Sequence, residues 1–339
     1  MKYRYIGRSG LRVSPIALGT MTFGTQSTKK DAFAIMDKAY NEGINFFDTA
    51  ELYPVPPQSD LAGITEQIIG EWLQSKPRES IIIASKIAGA ANGWFVPPIR
   101  HGLTAIDRFH IERAVEGSLK RLNTEYIDLY QVHWPDQVVP IDESLEALNR
   151  LINSGKVRYL GASNDTAHGV TKATITAQFK GLQRFESVQN NFSLLNRRDL
   201  DALKEVYEKE GISLLPYSPL AGGVLTGKYN TQKEPNPARF ISYRKLKNNR
   251  MQKMAERFLN NNTLASTEKY IQIAEQAGIS VTTLATAWSM HFDFVASTIV
   301  GARVPEHLDD TLAALNVKLT SDTLDACDKV HQDIQYPMG

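Results

Sequence analysis

The stretch 127–163, IDLYQVHWPDQVVPIDESLEALNRLINSGKVRYLGAS, decides the fold of this chain. It begins with an apolar, strand-like run at 127–132 and ends with a second one at 159–163. Between the two runs, apolar residues recur at helical spacing, at Ile141, Leu145, Leu148 and Ile152. Gly155 follows them as a helix stop signal. A strand, a helix and a second strand in this order predict a βαβ unit with parallel strands.

The same alternation of strand-like and helical segments continues along the chain. Counted from Ile16, eight strand-like runs are separated by helical patterns, at residues 16–19, 45–47, 81–85, 127–132, 159–163, 185–189, 212–217 and 296–300. Repeated βα units of this kind favour a (β/α)8 barrel, the TIM barrel, and a doubly wound parallel sheet is the structural alternative. Two short runs at 3–6 and 11–13 flank Gly7-Arg8-Ser9-Gly10 and predict a hairpin before the first unit.

The composition is that of an ordinary globular protein. The 339 residues are 42% hydrophobic and 22% charged, and the net charge is +1. So small a net charge gives no overall field that would attract nucleic acid or an anionic membrane. The single cysteine, Cys327, excludes an intrachain disulfide and fits a reducing compartment. We find no shift of composition, no secretory signal and no apolar run near the ~18 residues that span a bilayer. We therefore expect one domain over residues 1–339, in the cytoplasm.

Several well-known catalytic motifs are absent or incomplete. No Gly-x-Gly-x-x-Gly follows the first strand, so a Rossmann nucleotide site lacks its glycines. The segment 222–228, GGVLTGK, resembles a P-loop, but Tyr229 stands where Ser or Thr must bind magnesium. No His-Glu-x-x-His or close Cys/His cluster indicates zinc, and we expect no bound metal. A barrel glycosidase needs two facing carboxylates, whereas the fourth and seventh strands end in His133 and Tyr217.

Four polar residues follow apolar runs at successive predicted strand ends: Asp48, Tyr53, Lys86 and His133. Each one alone has an ordinary structural explanation, such as a helix cap, a packed ring or an exposed strand end. Together they place an acid, a phenol, an amine and an imidazole where barrel enzymes carry their active sites, at the carboxyl ends of the strands. The set therefore predicts a site for proton transfer.

The chemistry of these four groups is complementary. A free tyrosine has a pKa of about 10, and we expect the Lys86 ammonium to lower the pKa of Tyr53. Asp48 would compensate the buried ammonium, and His133 would orient a substrate oxygen. Tyr53 would then protonate a carbonyl oxygen as negative charge develops on it. The missing reactant is a hydride, which no side chain supplies and a nicotinamide cofactor does.

Several segments of the chain resemble the aldo-keto reductase family. They are GINFFDTAELY at 43–53, SLKRL at 118–122, YIDLYQVHWP at 126–135, GKVRYLGASN at 155–164, YSPL at 217–220 and LTGKY at 225–229. The likeness runs from Leu11 to about Val317, which is nearly the whole chain. The loop YPVPP at 53–57 and the segment NNFSLLNR at 190–197 look like the Tas-type bacterial branch of this family.

The resemblance implies a (β/α)8 barrel whose bottom is closed by the N-terminal hairpin. It also implies that Tyr53 is the proton donor and that Lys86, Asp48 and His133 support it. In the coenzyme site that it implies, Ser163, Asn164 and Gln189 would hold the nicotinamide carboxamide, Tyr217 would stack on the ring, and Ser218, Leu220 and Lys228 would line the pyrophosphate.

A segment near the C-terminus resembles the family's adenosine-phosphate site. It consists of Gly301-Ala302-Arg303 with Glu306 and His307. Arg303 would pair with a 2′-phosphate, which favours NADPH over NADH, because a guanidinium holds a phosphate well. His307 and Thr311 depart from the Gln and Asn that many relatives carry in the adenosine half of the site.

The sequence thus predicts a reductase that uses NADPH to convert aldehydes or ketones, its small-molecule carbonyl substrates, to alcohols. One alternative is an NADPH-binding redox-sensing partner protein resembling channel β-subunits, and another is a barrel lyase or isomerase without coenzyme. We expect an apolar substrate pocket shaped by Trp94, Phe95, the loop 54–57 and the insertion 229–263. This insertion is long, polar and basic, and we interpret it as a loop. Arg239 and Arg244 are both candidates for a coenzyme contact.

Overall fold

Eight parallel strands follow one another around a barrel, after a short antiparallel hairpin. The structure, a computed structural model, describes residues 1–92, 96–231, 233, 235 and 238–338. Its strands are β1 (Arg4–Tyr5), β2 (Arg12–Val13), β3 (Ile16–Gly19), β4 (Phe46–Asp48), β5 (Ile82–Ile87), β6 (Ile127–Val132), β7 (Val157–Ser163), β8 (Phe185–Gln189), β9 (Ser213–Leu214) and β10 (Thr298–Gly301).

The strand order decides between the two architectures that the sequence left open. Strands β3 to β9 pair in the order in which they occur in the chain, and β10 pairs with β3. Parallel bridges between Leu214 and Val295 and between Tyr217 and Ile299 join the two ends of the sheet. A doubly wound sheet would reverse its strand order at a switch point, and no reversal occurs among the strands described. The (β/α)8 barrel is therefore confirmed and the doubly wound alternative is wrong.

Helices alternate with the barrel strands and cover them from outside. They are α1 (Lys29–Asn41), α2 (Ile64–Leu73), α3 (Arg108–Leu122), α4 (Ile141–Asn153), α5 (Ala167–Lys180), α6 (Asp199–Glu210), α7 (Arg239–Lys245), α8 (Asn249–Phe258), α9 (Asn261–Gln276), α10 (Val281–Met290), α11 (Asp309–Ala313) and α12 (Ser321–Asp333). In α4, the helical spacing puts Leu145 and Leu148 on one face, where both are fully buried. Gly155 follows with φ +74°, a conformation that favours glycine, and turns the chain into β7.

The hairpin of β1 and β2 lies across the amino ends of the barrel strands. The backbone N–H of Gly7 donates to Ser213 Oγ at the start of β9, over 2.8 Å. The N–H of Arg8 donates to Glu186 Oε2 near the start of β8, also over 2.8 Å. Ile6, Leu11 and Val13 are fully buried against apolar residues of the barrel interior. The hairpin therefore closes the bottom of the barrel, as predicted, and leaves the opposite end for a site.

The segment 229–263 differs from the prediction. We expected a long irregular insertion, but most of it is helical, in α7, α8 and the start of α9. Its apolar residues explain the difference, because Met251, Ala255 and Phe258 recur at helical spacing and are buried. Nowhere in the described ranges is there a helix with the length and apolarity needed to cross a membrane.

Candidate active site

The four residues singled out from the sequence lie together at the carboxyl end of the barrel. His133 directly follows β6, and Tyr53 lies in the loop after β4. Asp48 is the last residue of β4 and Lys86 is the last but one of β5, so both lie inside their strands. We had placed these two just past the strands, and that boundary was wrong. The extended backbone continues through Asp48 and Lys86 because both residues pair with residues of a neighbouring strand.

Lys86 and Asp48 form a buried ion pair. Lys86 Nζ donates to Asp48 Oδ2 over 2.6 Å and to the carbonyl oxygen of Thr49 over 2.8 Å. The Lys86 side chain is fully buried, and that of Asp48 is 4% exposed. Burial lowers the pKa of Lys86, and the neighbouring Asp48 carboxylate opposes that effect. The pair therefore keeps an ammonium in a place from which water is excluded.

The second carboxylate oxygen of Asp48 is held by two amides. Gln189 Nε2 donates to Asp48 Oδ1 over 2.7 Å, and Gln131 Nε2 donates to the same atom over 3.2 Å. We predicted Gln189 as a coenzyme contact and did not single out Gln131. The signal was present in the sequence, because Gln131 stands two residues before His133 on β6 and alternate residues of a strand face the same side.

Tyr53 lies above the ion pair. Its ring centre is 5.1 Å from Lys86 Nζ and 5.7 Å from the ring centre of His133. Burial raises the pKa of Tyr53, and the Asp48 carboxylate raises it further. We had expected Lys86 to lower this pKa, and for the free protein that expectation was wrong. The ammonium is already paired with Asp48, so its effect does not outweigh the loss of water around the phenol.

His133 is neutral at physiological pH. Burial and the Lys86 ammonium hold the pKa of His133 well below its ordinary value. Within the described part of the chain, its Nδ1 is a buried atom without a hydrogen-bond partner. A neutral imidazole carries one N–H donor, and this ring meets the Tyr53 ring edge to face.

A second polar network joins the ends of β7, β8 and β9. Tyr217 Oη donates to Asn164 Oδ1 over 2.7 Å, and Asn164 Nδ2 donates to the carbonyl oxygen of His133 over 2.9 Å. Ser163 Oγ donates to the carbonyl oxygen of Gln189 over 2.8 Å. The four residues that we predicted to contact a nicotinamide thus lie next to one another and next to His133. Burial raises the pKa of Tyr217, so this hydroxyl remains a donor.

A cluster of basic residues lies farther along the rim, which we call the basic rim: Lys228, Arg239, Arg303 and His307. Burial, followed by the charges of Arg303 and Arg239, lowers the pKa of Lys228 to about 8. Burial, Arg303 and Lys228 lower the pKa of His307. Like charges that depress one another's pKa form a field suited to a polyanion.

Of the two arginines that we considered as coenzyme contacts, Arg239 lies in the basic rim and Arg244 makes its contact elsewhere. Arg239 acts electrostatically on Lys228, and Arg303 acts on Arg239. Arg244, by contrast, donates from Nη2 to the carbonyl oxygen of Leu259 over 2.8 Å. Arg239 therefore belongs to the rim, while the side chain of Arg244 fastens α7 to the end of α8.

The backbone around the basic rim approaches it closely. Gly223 has φ +98°, and a Cβ there would lie 2.9 Å from Lys228 Nζ, so the ammonium lies directly over this glycine. Ser218 has φ +54° in the same connection, and Leu220 precedes the 3-10 helix Ala221–Thr226. Gly301 is the last residue of β10 and pairs with Gly19.

His307 and Thr311, which differ from the residues that many relatives carry there, make different contacts. His307 Nδ1 faces the backbone N–H of Arg303 at 3.5 Å, so its ring lies within the basic rim. Thr311 is 2% exposed, and its hydroxyl donates to the carbonyl oxygen of Leu308 over 2.8 Å. The Thr311 hydroxyl is thus occupied by the residue that precedes its own helix.

An ion pair fastens the long loop after β5 beside the site. Arg100 Nη1 and Nη2 donate to the two oxygens of Glu51 over 2.7 and 2.8 Å. The backbone N–H of Ala88 donates to the same carboxylate over 2.7 Å. Ile99 packs against the cluster that contains Tyr53. Sequence reasoning missed the pair, because Glu51 and Arg100 are far apart in the chain.

Apolar side chains surround Tyr53, and one of them comes from a loop that we predicted to line a substrate pocket. The partly buried residues around it are Met21, Val55, Ile99 and Trp134. Val55 belongs to the loop 54–57 that we predicted to line the pocket. Trp94 and Phe95, which we also predicted there, lie outside the described residues.

Comparison of the sequence with known proteins identifies the family of this chain. The chain matches the family model described as Aldo/keto reductase family over residues 15–332. Protein tas of Escherichia coli K12 is 38% identical over 99% of both chains, in agreement with the resemblance to the Tas-type branch. The uncharacterized oxidoreductase YrpG of Bacillus subtilis is 35% identical over 96% of this chain and 94% of its own. A probable voltage-gated potassium channel subunit beta of Oryza sativa subsp. japonica is 33% identical over 98% and 97%. The chain belongs to the aldo/keto reductase family.

Proposed function

We propose that this protein reduces aldehydes or ketones to alcohols with NADPH, that Tyr53 is the general acid, and that residues 1–339 form one barrel domain. Family membership and a relative named as an oxidoreductase support oxidoreductase activity. The observation that carries the proposal is the buried Lys86–Asp48 pair beneath the Tyr53 ring, with His133 at the edge of that ring. These groups supply a proton to a carbonyl oxygen and stabilise the charge left behind.

The proton remains on Tyr53 until the reaction needs it. Burial raises the pKa of the phenol, so Tyr53 is protonated in the free protein. Negative charge that develops on a carbonyl oxygen beside it makes that oxygen a better base. As the proton leaves Tyr53 Oη, the Lys86 ammonium stabilises the phenolate. Asp48 keeps that ammonium in place throughout.

His133 orients the oxygen that receives this proton. Because the pKa of His133 is depressed, its ring is neutral. It can donate a hydrogen bond beside Tyr53, but it is not a strong acid. We assign its N–H to the carbonyl oxygen of the substrate, which is thereby held between His133 and Tyr53. Apolar side chains around Tyr53, such as Met21 and Trp134, exclude water from the bond being reduced.

The residues present fit a nicotinamide coenzyme. A bound nicotinamide supplies the hydride to the carbonyl carbon. The amides of Asn164 and Gln189 and the hydroxyl of Ser163 suit a carboxamide, and the Tyr217 ring suits the face of a flat heterocycle. At the basic rim, Lys228 suits a pyrophosphate, and Arg303 and His307 suit the phosphate on the ribose. We propose Ser218, Leu220 and Gly301 as further contacts on the family resemblance alone.

Exchange of Tyr53 for phenylalanine tests the proposal. In Tyr53→Phe we expect kcat for carbonyl reduction to fall by about 10²–10⁴ and NADPH affinity to stay unchanged, because only the proton donor is lost. The measurement is NADPH oxidation across aldehydes and ketones, with binding followed by coenzyme fluorescence. Tyr130→Phe is the matched control, since its buried hydroxyl has no hydrogen-bond partner among the residues described. A Tyr53→Phe variant as active as this control would remove Tyr53 as the acid.

A second candidate function is that of an NADPH-binding redox sensor that acts through a partner protein. The whole-length similarity to a rice protein named as a channel subunit is the observation that favours it. The same assays separate the two functions. Tight NADPH binding without turnover of any carbonyl, together with a stable partner complex, would support the sensor. The complete set of four polar residues, Tyr53 with Asp48, Lys86 and His133, supports catalysis.

A further inference from the structure

Gln131 lies beneath the site, where a barrel interior would normally carry an apolar side chain. It is fully buried and stands directly opposite Lys86 on the neighbouring strand. Its Nε2 donates to Asp48 Oδ1, and its Oε1 accepts a hydrogen bond from Gln189 Nε2 over 3.2 Å. A buried amide is unfavourable unless its hydrogen bonds are made, so this position is costly for packing alone.

The carboxylate fixes the direction of both amides. A carboxylate only accepts hydrogen bonds, so Gln131 and Gln189 must both turn their Nε2 groups toward Asp48 Oδ1. Asp48 Oδ2 is then the oxygen that faces Lys86. With three donors around it, the carboxylate cannot rotate without breaking at least one charge-assisted hydrogen bond.

The next strand leaves room for this arrangement. Gly161 on β7 pairs with Gln131, and a Cβ at Gly161 would lie 3.0 Å from Gln131 Cγ and 2.7 Å from Ser187 Oγ. The absence of a side chain at Gly161 thus allows the long Gln131 side chain to reach Asp48.

We propose that Gln131 is a positioning residue, which holds the Asp48 carboxylate with Oδ2 on Lys86 and so keeps the ammonium in place beneath Tyr53. The role in turnover rests on the proposed function, whereas the effect on Lys86 does not. Gln131 itself touches no reacting atom. It acts through Asp48, and Gln189 connects the same carboxylate to the predicted nicotinamide site.

Glutamate at this position provides a test that depends on pH. A protonated carboxyl donates a hydrogen bond to Asp48 as the amide does, whereas an ionised one repels Asp48. The other titratable groups that face the Lys86–Asp48 pair are Tyr53 from the loop after β4, His133 from the end of β6 and Glu66 from α2. They are the same in wild type and variant, so a difference between the two pH profiles belongs to the introduced carboxyl.

The experiment compares Gln131→Leu, Gln131→Glu and the exposed control Gln178→Leu. We expect kcat of Gln131→Leu to fall by roughly tenfold or more with an unchanged KM for NADPH, the effect of one lost hydrogen bond to a charged group. In Gln131→Glu, kcat should approach the wild-type value at low pH and decline as pH rises. Titration of 13Cε-labelled lysine, assigned with Lys86→Met, should give a pKa of Lys86 that is lower in Gln131→Leu and higher in Gln131→Glu.

Two results would overturn the proposal. One is a Lys86 titration and pH profile in both Gln131 variants that match those of Gln178→Leu. The other is an equal loss of kcat in Gln131→Leu and Gln131→Glu at every pH, which would indicate a merely structural role. If the wild-type protein reduces no carbonyl, the proposed function fails. The lysine titration alone then tests whether Gln131 holds Asp48 on Lys86. Should Gln131→Leu not fold, Gly161→Ala displaces the same side chain and is measured in the same two ways.

Discussion

The Lys86 ammonium and the Asp48 carboxylate lie 2.6 Å apart with side chains that are 0% and 4% exposed, so each is the main counter-charge of the other. In Asp48→Asn the ammonium loses that partner in a site without water. We expect the free energy of unfolding to fall by about 3–5 kcal/mol, as for other broken buried pairs. The double variant Asp48→Asn with Lys86→Met should recover much of this loss, because it leaves no unpaired charge. Urea unfolding measures both.

The same variant has a predictable pH dependence. Burial lowers the pKa of Lys86 in the folded protein, whereas an unfolded lysine keeps its proton up to about pH 10.4. The unfolded state therefore binds more protons in between, and the stability of Asp48→Asn should rise with pH in that window. A loss of stability that is the same at every pH would show that the Lys86 charge is not its cause.

Coenzyme affinity should depend on the protonation of Lys228. Its pKa is about 8 in the free protein, and bound phosphates would raise that value. Binding then takes up a proton above pH 8, so the affinity for NADPH should fall by up to about tenfold per pH unit as pH rises. Lys228→Arg keeps its charge at high pH and should show a flat profile. Isothermal titration in two buffers of different ionisation enthalpy measures the proton uptake, and its absence in wild type would contradict the prediction.

Arg303 should distinguish the two nicotinamide coenzymes. We expect Arg303→Leu to weaken NADPH binding by about 10–100-fold, the loss of a charge-assisted contact, and to change NADH binding little. Arg244→Leu is the matched control, because that side chain is occupied with the carbonyl oxygen of Leu259. The ratio of the two dissociation constants is the measurement. An equal loss for both coenzymes would place Arg303 away from the 2′-phosphate.

The Glu51–Arg100 pair should control the loop beside Tyr53. Arg100→Met leaves a carboxylate that is 4% exposed without its guanidinium, and we expect a loss of about 2–3 kcal/mol, less than for a fully buried pair because Arg100 is partly exposed. KM for the carbonyl substrate should rise, because Ile99 packs against the cluster around Tyr53 and would move together with the released loop. Arg100→Lys should rescue little, since a point charge cannot hold both oxygens. Full rescue by lysine would show that charge alone matters.

The sequence predicted several barrel strands together with their boundaries, because β-rich runs stand out between segments with helical periodicity. The runs 127–132 and 185–189 became β6 and β8 without a change of boundary. The predicted strand 212–217 is shorter, because Pro216 has no N–H to donate to a neighbour. Its carbonyl oxygen still accepts from Ile299 over 2.8 Å, so the barrel closes there with few hydrogen bonds.

The candidate site was predictable in its parts and less so in its contacts. Asp48, Tyr53, Lys86 and His133 follow from strand ends and a family resemblance. Periodicity gives the face of the strand on which Gln131 and Gln189 lie, but their contacts with Asp48 also depend on which strands are neighbours and on the conformations of these long side chains. The raised pKa of Tyr53 depends on how completely the phenol is buried, a quantity that only the packed structure provides.

The hairpin at the bottom of the barrel has a kinetic consequence. Because β1 and β2 cover the amino ends of the strands, the described residues leave the opposite rim as the approach to Asp48 and Lys86. On the proposed function, coenzyme and carbonyl substrate both enter and leave through this one opening, so we expect them to bind in a fixed order. The reactant that binds deeper should then bind first and leave last, which is an ordered kinetic mechanism.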